Sequence, residues 1–126
     1  MPVPRTILLV DDDPSLAVPL KEGLESRGYQ VSMAGDGLQG IQDACDARPD
    51  LIILDFHMPG GGGSAVYACL RELRPTADTP IVFLTAVPID EVKSSIPLGA
   101  NTYFISKPAG LDAIVPVIRA ALQEGP

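Results

Sequence analysis

The chain of 126 residues has no tryptophan, one histidine, two cysteines, and only 9 Lys and Arg against 16 Asp and Glu. Two thiols, Cys45 and Cys69, fall far short of a disulfide framework. Both lie in stretches that read as helices, so buried free thiols are expected. No apolar stretch approaches the roughly 20 residues that cross a bilayer. The opening Met1-Pro2-Val3-Pro4-Arg5 lacks the charged-then-apolar layout of a secretory signal. A soluble cytoplasmic protein with no membrane partner is therefore expected. The shortage of basic residues gives a net charge of -7 and a pI of about 4.4. Such a chain has no general pull toward nucleic acid, and no direct nucleic-acid contact is expected.

What is present is an ordinary globular balance, 46% hydrophobic and 20% charged. The length suits one domain, taken as residues 1–126. Three short apolar runs stand out: Ile7-Leu8-Leu9-Val10, Leu51-Ile52-Ile53-Leu54 and Ile81-Val82-Phe83-Leu84. They are continuous rather than alternating, the signature of strands buried on both faces of a parallel sheet. Residues 29–34 alternate in the manner of a half-exposed edge strand, and residues 103–106 form a fifth. Helical stripes lie between them: Leu16, Leu20, Leu24; Leu38, Ile41, Cys45, with Asp36 as a helix cap; Val66, Leu70, Leu73; a short fourth over residues 89–98; and Leu111, Ile114, Val115, Ile118, Leu122. Five β-α units with right-handed crossovers give an α/β fold, a doubly wound parallel sheet. Gly60–Gly63 reads as a mobile loop. Pro19, Pro97 and Pro116 fall inside the expected helices, where proline is costly; Pro97 is expected to end the fourth.

In such a sheet, ligands bind outside the carboxyl ends of the strands. Here those ends are Asp11-Asp12-Asp13, Asp55, Thr85 and Ser106-Lys107. Carboxylates gathered about 4 Å apart repel by about 4 kcal/mol at an effective dielectric of 20, so the cluster needs a cation or raised pKa values. An all-oxygen donor set favours Mg²⁺ over zinc. Lys107 supplies a further positive charge suited to a phosphoryl group. Asp13, just before Pro14, reads instead as the cap of the first helix.

The fragments Ile7–Pro14, Leu54-Asp55-Phe56-His57-Met58-Pro59, Leu84-Thr85-Ala86 and Lys107-Pro108, in this order and spacing, resemble the receiver domain of two-component response regulators. The resemblance implies a flavodoxin-like (βα)5 fold with strand order 2-1-3-4-5. It implies Asp55 as phosphoacceptor, taking a phosphoryl group from a histidine kinase or histidine phosphotransfer protein. Asp11 and Asp12 hold Mg²⁺ in this reading, helped by Asp55 and the His57 backbone carbonyl. Thr85 and Lys107 contact the phosphoryl oxygens, and a cis peptide precedes Pro108. The chain catalyses its own phosphorylation and dephosphorylation and is not a turnover enzyme. Two aromatics compete as the family's switch residue. Counting back from Lys107 gives Phe104; counting forward from Gly99-Ala100 gives Tyr103, which is preferred. A strand of period 2 cannot aim both inward.

Gly35-Asp36-Gly37-Leu38-Gln39-Gly40 also matches the G-x-G-x-x-G dinucleotide fingerprint. The polar strand before it, the acidic Asp36 and the chain length argue for a plain turn and helix cap instead. A phosphohydrolase reading is disfavoured because His57, not a carboxylate, stands two residues after Asp55.

Overall fold

The three apolar runs become the middle of one five-stranded parallel sheet, in the order β2-β1-β3-β4-β5. The computed structural model describes residues 3–58, 62–95, 99, 101–107 and 110–124. Along the chain run β1 (Thr6–Val10), α1 (Pro14–Glu25), β2 (Gln30–Ala34), α2 (Gly37–Ala47), β3 (Leu51–Asp55), α3 (Gly62–Glu72), a 3-10 turn (Arg74–Thr76), β4 (Ile81–Thr85), α4 (Ile89–Ser95), β5 (Thr102–Ser106) and α5 (Leu111–Ala121). This is the expected flavodoxin-like order. The expected positions of Gly60, Gly61, Pro97 and the Pro108 peptide lie outside the described residues.

Alternation along each central strand splits the core into two layers. Ile7, Leu9, Leu51, Ile53, Val82, Leu84 and Ile105 pack under α1 and α5. Leu8, Val10, Ile52, Leu54, Ile81 and Phe83 pack under α2, α3 and α4. Each fully buried Leu or Ile contributes on the order of 1.5–3 kcal/mol. The edge strand β2 buries Val31 and Ala34 on opposite faces and leaves Gln30, Ser32 and Met33 exposed, so the expected alternation fails at Met33. An edge position is wrong for a dinucleotide-binding strand, and Asp36 does what a cap does, accepting from the Gln39 amide at 2.8 Å.

Further expectations shift, and Leu16 of the α1 stripe is 52% exposed. The buried face of α2 is Gly37, Gly40 and Ala44, while Leu38 is 69% exposed. The glycines set this face: a Cβ on Gly40 would lie 2.9 Å from both Val10 methyls, and one on Gly37 2.5 Å from a Val66 methyl. Close backbone approach thus outweighs the leucine stripe. Cys45 and Cys69 are free, as expected, but half-buried rather than buried.

The helices α1 and α5 continue past Pro19 and Pro116, both of which face solvent. There the carbonyl that loses its partner can be hydrated. An interior proline still costs about 3 kcal/mol relative to alanine. Its restriction of the unfolded chain returns about 1 kcal/mol. Pro116→Ala is therefore expected to raise the thermal midpoint by about 8 °C in a circular-dichroism melt. A lower midpoint would show that the ring is needed on the surface of α5.

Candidate functional site

Each strand that carries a candidate residue releases it at the same rim. Asp11 follows β1, Asp55 ends β3, and Lys107 follows β5. The period of 2 places all three on the α1/α5 side, in line with Leu9, Ile53 and Ile105. Lys107 Nζ stands 3.3 Å from Asp55 Oδ1 and 3.7 Å from Asp11 Oδ2. Asp12 completes the group: carboxylate oxygens of Asp11, Asp12 and Asp55 all lie within 4.8 Å of one another. Asp11 and Asp55 are buried, whereas Asp12 is exposed. The His57 amide donates to Asp55 Oδ1 at 3.2 Å, which keeps the His57 backbone beside the Asp55 carboxylate.

Asp13 caps α1. Its Oδ1 accepts from the Ser15 amide at 3.0 Å and the Ser15 hydroxyl at 2.6 Å. Those bonds hold its pKa below the usual value. The neighbouring Asp11 behaves oppositely. Burial pushes its carboxyl above the ordinary 3.8, and the Asp55 and Asp12 charges add to that; the Asp13 amide and Lys107 oppose it. One ammonium thus faces three carboxylates. An all-oxygen set this close, with a charge deficit, fits a hard divalent cation.

Thr85 ends β4 on the opposite side, in line with Ile81 and Phe83. Its hydroxyl is fully buried and engaged locally, accepting from the Val87 amide at 3.0 Å and donating to the Val87 carbonyl at 3.3 Å. Its carbonyl accepts from the Lys107 amide at 2.7 Å. Backbone, not side chain, joins Thr85 to the cluster here.

The family model for the response regulator receiver domain matches residues 7–119. This chain belongs to that family. It is 37% identical over 122 residues to the DNA-binding dual master transcriptional regulator RpaA of Synechocystis sp., covering 96% of this chain and 50% of that protein. The chain thus spans about half the length of the curated relatives it matches. Among solved structures it resembles the Vibrio cholerae chemotaxis protein CheY4, with a TM-score of 0.88 and 28% identity over 94% of this chain and 99% of that one. The receiver domain of the Pseudomonas aeruginosa sensor histidine kinase PA1611, with a magnesium ion coordinated in its active site cleft, gives 0.87 and 25% over 97% of this chain and all of that one.

The receiver's two competing aromatics point to opposite faces. Tyr103, the one preferred from sequence, packs with the α1/α5 layer. Phe104 lies on the Thr85 side. It pairs in register with Phe83 and stacks on it, centroids 5.6 Å apart and planes 12° apart, with Lys93 Nζ of α4 5.7 Å from its ring. Asn101, at φ 61°, turns left-handed immediately before β5 begins, within the segment where the two counts differ by one residue.

Sequence reasoning also missed Gly63. Gly60–Gly63 reads as a loop, yet α3 begins at Gly62. The Gly63 amide donates to the Phe56 carbonyl at 2.7 Å, and a Cβ there would sit 2.7 Å from Phe56 Cα and 2.8 Å from the Asp55 carbonyl oxygen. Only glycine lets α3 start against the segment that carries Asp55.

Gly63→Ala is expected to lower the thermal midpoint, because backbone and not a movable side chain meets the new methyl; an unchanged melt would refute the close approach. Asp11→Asn has the opposite sign. A raised pKa means that the folded state holds the Asp11 proton more tightly than the unfolded chain does. Asp11 therefore favours folding below pH 3.8 and works against it as pH rises through the raised value. Melts in chelator at pH 7 are expected to show Asp11→Asn the more stable, by about 4 °C per kcal/mol of relieved penalty. The advantage should shrink as the pH is lowered toward 4. A variant less stable at pH 7 would show that the Lys107 pairing outweighs the burial.

Proposed function

We propose that Asp55 is the phosphoacceptor of this receiver and that a partner histidine kinase or histidine phosphotransfer protein is the donor. The observation that carries the reading is the placement of Lys107 Nζ 3.3 Å from Asp55 Oδ1 and 3.7 Å from Asp11 Oδ2, with Asp12 closing the group. An Asp55 carboxylate oxygen forms a bond to phosphorus as the P–N bond of the phosphohistidine breaks, and the imidazole leaves with that electron pair. Little covalent work falls to the protein beyond positioning and charge neutralisation. Lys107 pairs with the phosphoryl oxygens, which carry more charge than the carboxylate they replace. The His57 amide bond to Asp55 Oδ1 fixes which carboxylate oxygen is left to attack.

Magnesium, held by Asp11, Asp12, Asp55 and the His57 carbonyl, would neutralise charge on the phosphoryl oxygens, and the ion in the cleft of the PA1611 receiver supports this choice. The same groups serve hydrolysis of the acyl phosphate, so the chain acts on itself and turns over no external substrate. For the switch, Thr85 leaves the Val87 backbone to bond the phosphoryl group, and Phe104, its neighbour on that face, follows. Phe104 rather than Tyr103 takes this role. The soluble, cytoplasmic setting of a two-component relay completes the reading; no helix among the described residues is long and apolar enough to cross a membrane.

Incubation with Mg²⁺ and acetyl phosphate, read by intact mass, is expected to add one phosphoryl group to the wild type and none to Asp55→Asn. Continuous release of phosphate with no adduct would overturn the reading in favour of a hydrolase. Labelling that persists in Asp55→Asn would move the acceptor elsewhere.

A further inference from the structure

At the opposite end of the sheet, away from the carboxylates, a cavity of about 650 Å³ opens beside the starts of β1 and β2 and the end of α5. Arg5, Arg27 and Arg119 line it, with Tyr29, Glu124 and Val115. Three of the chain's 9 basic residues thus face one hollow of a protein whose net charge is -7. The guanidiniums are poorly committed. Arg5 lies 3.9 Å from Asp50 and 4.0 Å from Glu124, and Arg27 lies 3.8 Å from Asp112. All three distances exceed a hydrogen bond. Asp50 is held instead through its other oxygen by the Thr6 amide, at 2.8 Å. Arg119 makes no ion pair among the described residues; its charge acts on Tyr29. A place in the last turn of α5 favours a cation at Arg119 through the helix dipole. That role calls for neither Arg5 nor Arg27 beside it.

We propose that this cavity binds a polyphosphate-bearing small anion, with the three guanidiniums as its ligands. Guanidinium forks match phosphate oxygens in pairs, and a hollow of this size takes more than a single phosphate. Glu124 is the resident competitor. It accepts a hydrogen bond from the Tyr29 hydroxyl at 2.8 Å and draws on Arg5, so it occupies the anionic position that the ligand takes. Tyr29, with its pKa pushed up to about 12 chiefly by burial, keeps its proton and stays a donor to whichever anion is present. Val115 and Pro4 form an apolar wall on which a nucleotide base can lie.

The test is an amide NMR titration of the full chain with sodium tripolyphosphate, and separately with ATP, in 150 mM NaCl and chelator. Without Mg²⁺ the carboxylate cluster repels both ligands. Saturable shifts centred on residues 27–29 and 115–124 are expected, with Kd weakened at least ten-fold in Arg119→Gln and in Arg27→Gln. Glu124→Gln, which keeps an acceptor for Tyr29 but removes the competing charge, is expected to tighten binding several-fold. Tighter binding of ATP than of tripolyphosphate assigns the base to the Val115 wall; equal binding assigns the phosphate chain alone. The proposal is overturned by an absence of saturable shifts, by shifts centred on Lys107, or by affinity that survives in arginine variants whose melts match the wild type.

Discussion

The ammonium of Lys107, set against two buried carboxylates, is the constraint on which the rest of the structure turns. Asp55 lies on β3 and Lys107 follows β5, with β4 between them. Two strand spacings are about 10 Å, so neither backbone can approach the other. A long flexible stem is needed to bring a charge across, and it must pass over β4 without a competing polar group. Leu84, the register partner of Asp55, supplies that apolar floor. The 2-1-3-4-5 order, with β1 and β3 adjacent, then brings Asp11 to the other side of the same ammonium. One lysine answers two buried carboxylates. It does not answer three, and the remaining deficit is what makes the rim a place for a cation and for a transferable anion.

The period of the strands divides the residues of the rim between two faces. Asp11, Asp55 and Lys107 fall on the α1/α5 side, while Thr85 and Phe104 fall on the side of α3 and α4. No side chain bridges the two among the described contacts. The backbone does: the Lys107 amide bonds the Thr85 carbonyl at 2.7 Å, and the Phe56 amide bonds the Leu84 carbonyl at 2.9 Å. The end of β4 is therefore the backbone link between the segment that carries Asp55 and the face that carries Phe104. The aromatic stack there packs in the same layer as α4, whose Lys93 places Nζ 5.7 Å from the Phe104 ring.

Much of this was legible in the residues alone because it rests on periods and ends. A continuous run such as Leu51–Leu54 can only be a strand covered on both faces, and a carboxylate at its end can only face the rim. Close approach is harder to read. Leu38 looks like core and is not, because Gly37 and Gly40 bring α2 so near Val10 and Val66 that the leucine is carried outward. Gly63 looks like loop and is helix, for a similar reason. Tyr103 against Phe104 turns on one residue of register, and Asn101, immediately before β5, takes a left-handed conformation that composition does not announce. The arginine hollow had no linear signature, since Arg5, Arg27 and Arg119 meet only once the strand starts and the end of α5 are brought together.

The net charge of -7 therefore describes neither end of the molecule. In a parallel sheet every strand starts at one end and finishes at the other, so residues that precede strands and residues that follow them are sorted in space. Asp11, Asp12 and Asp55 collect where strands finish; Arg5 and Arg27 collect where β1 and β2 start, joined by Arg119 because α5 runs back against the sheet. The two ends are more than a screening length apart along the strands and helices, about 8 Å at physiological ionic strength, so each acts on a partner independently of the other. An acidic protein can in this way hold a cation at one end and an anion at the other, and the sum of its charges predicts neither.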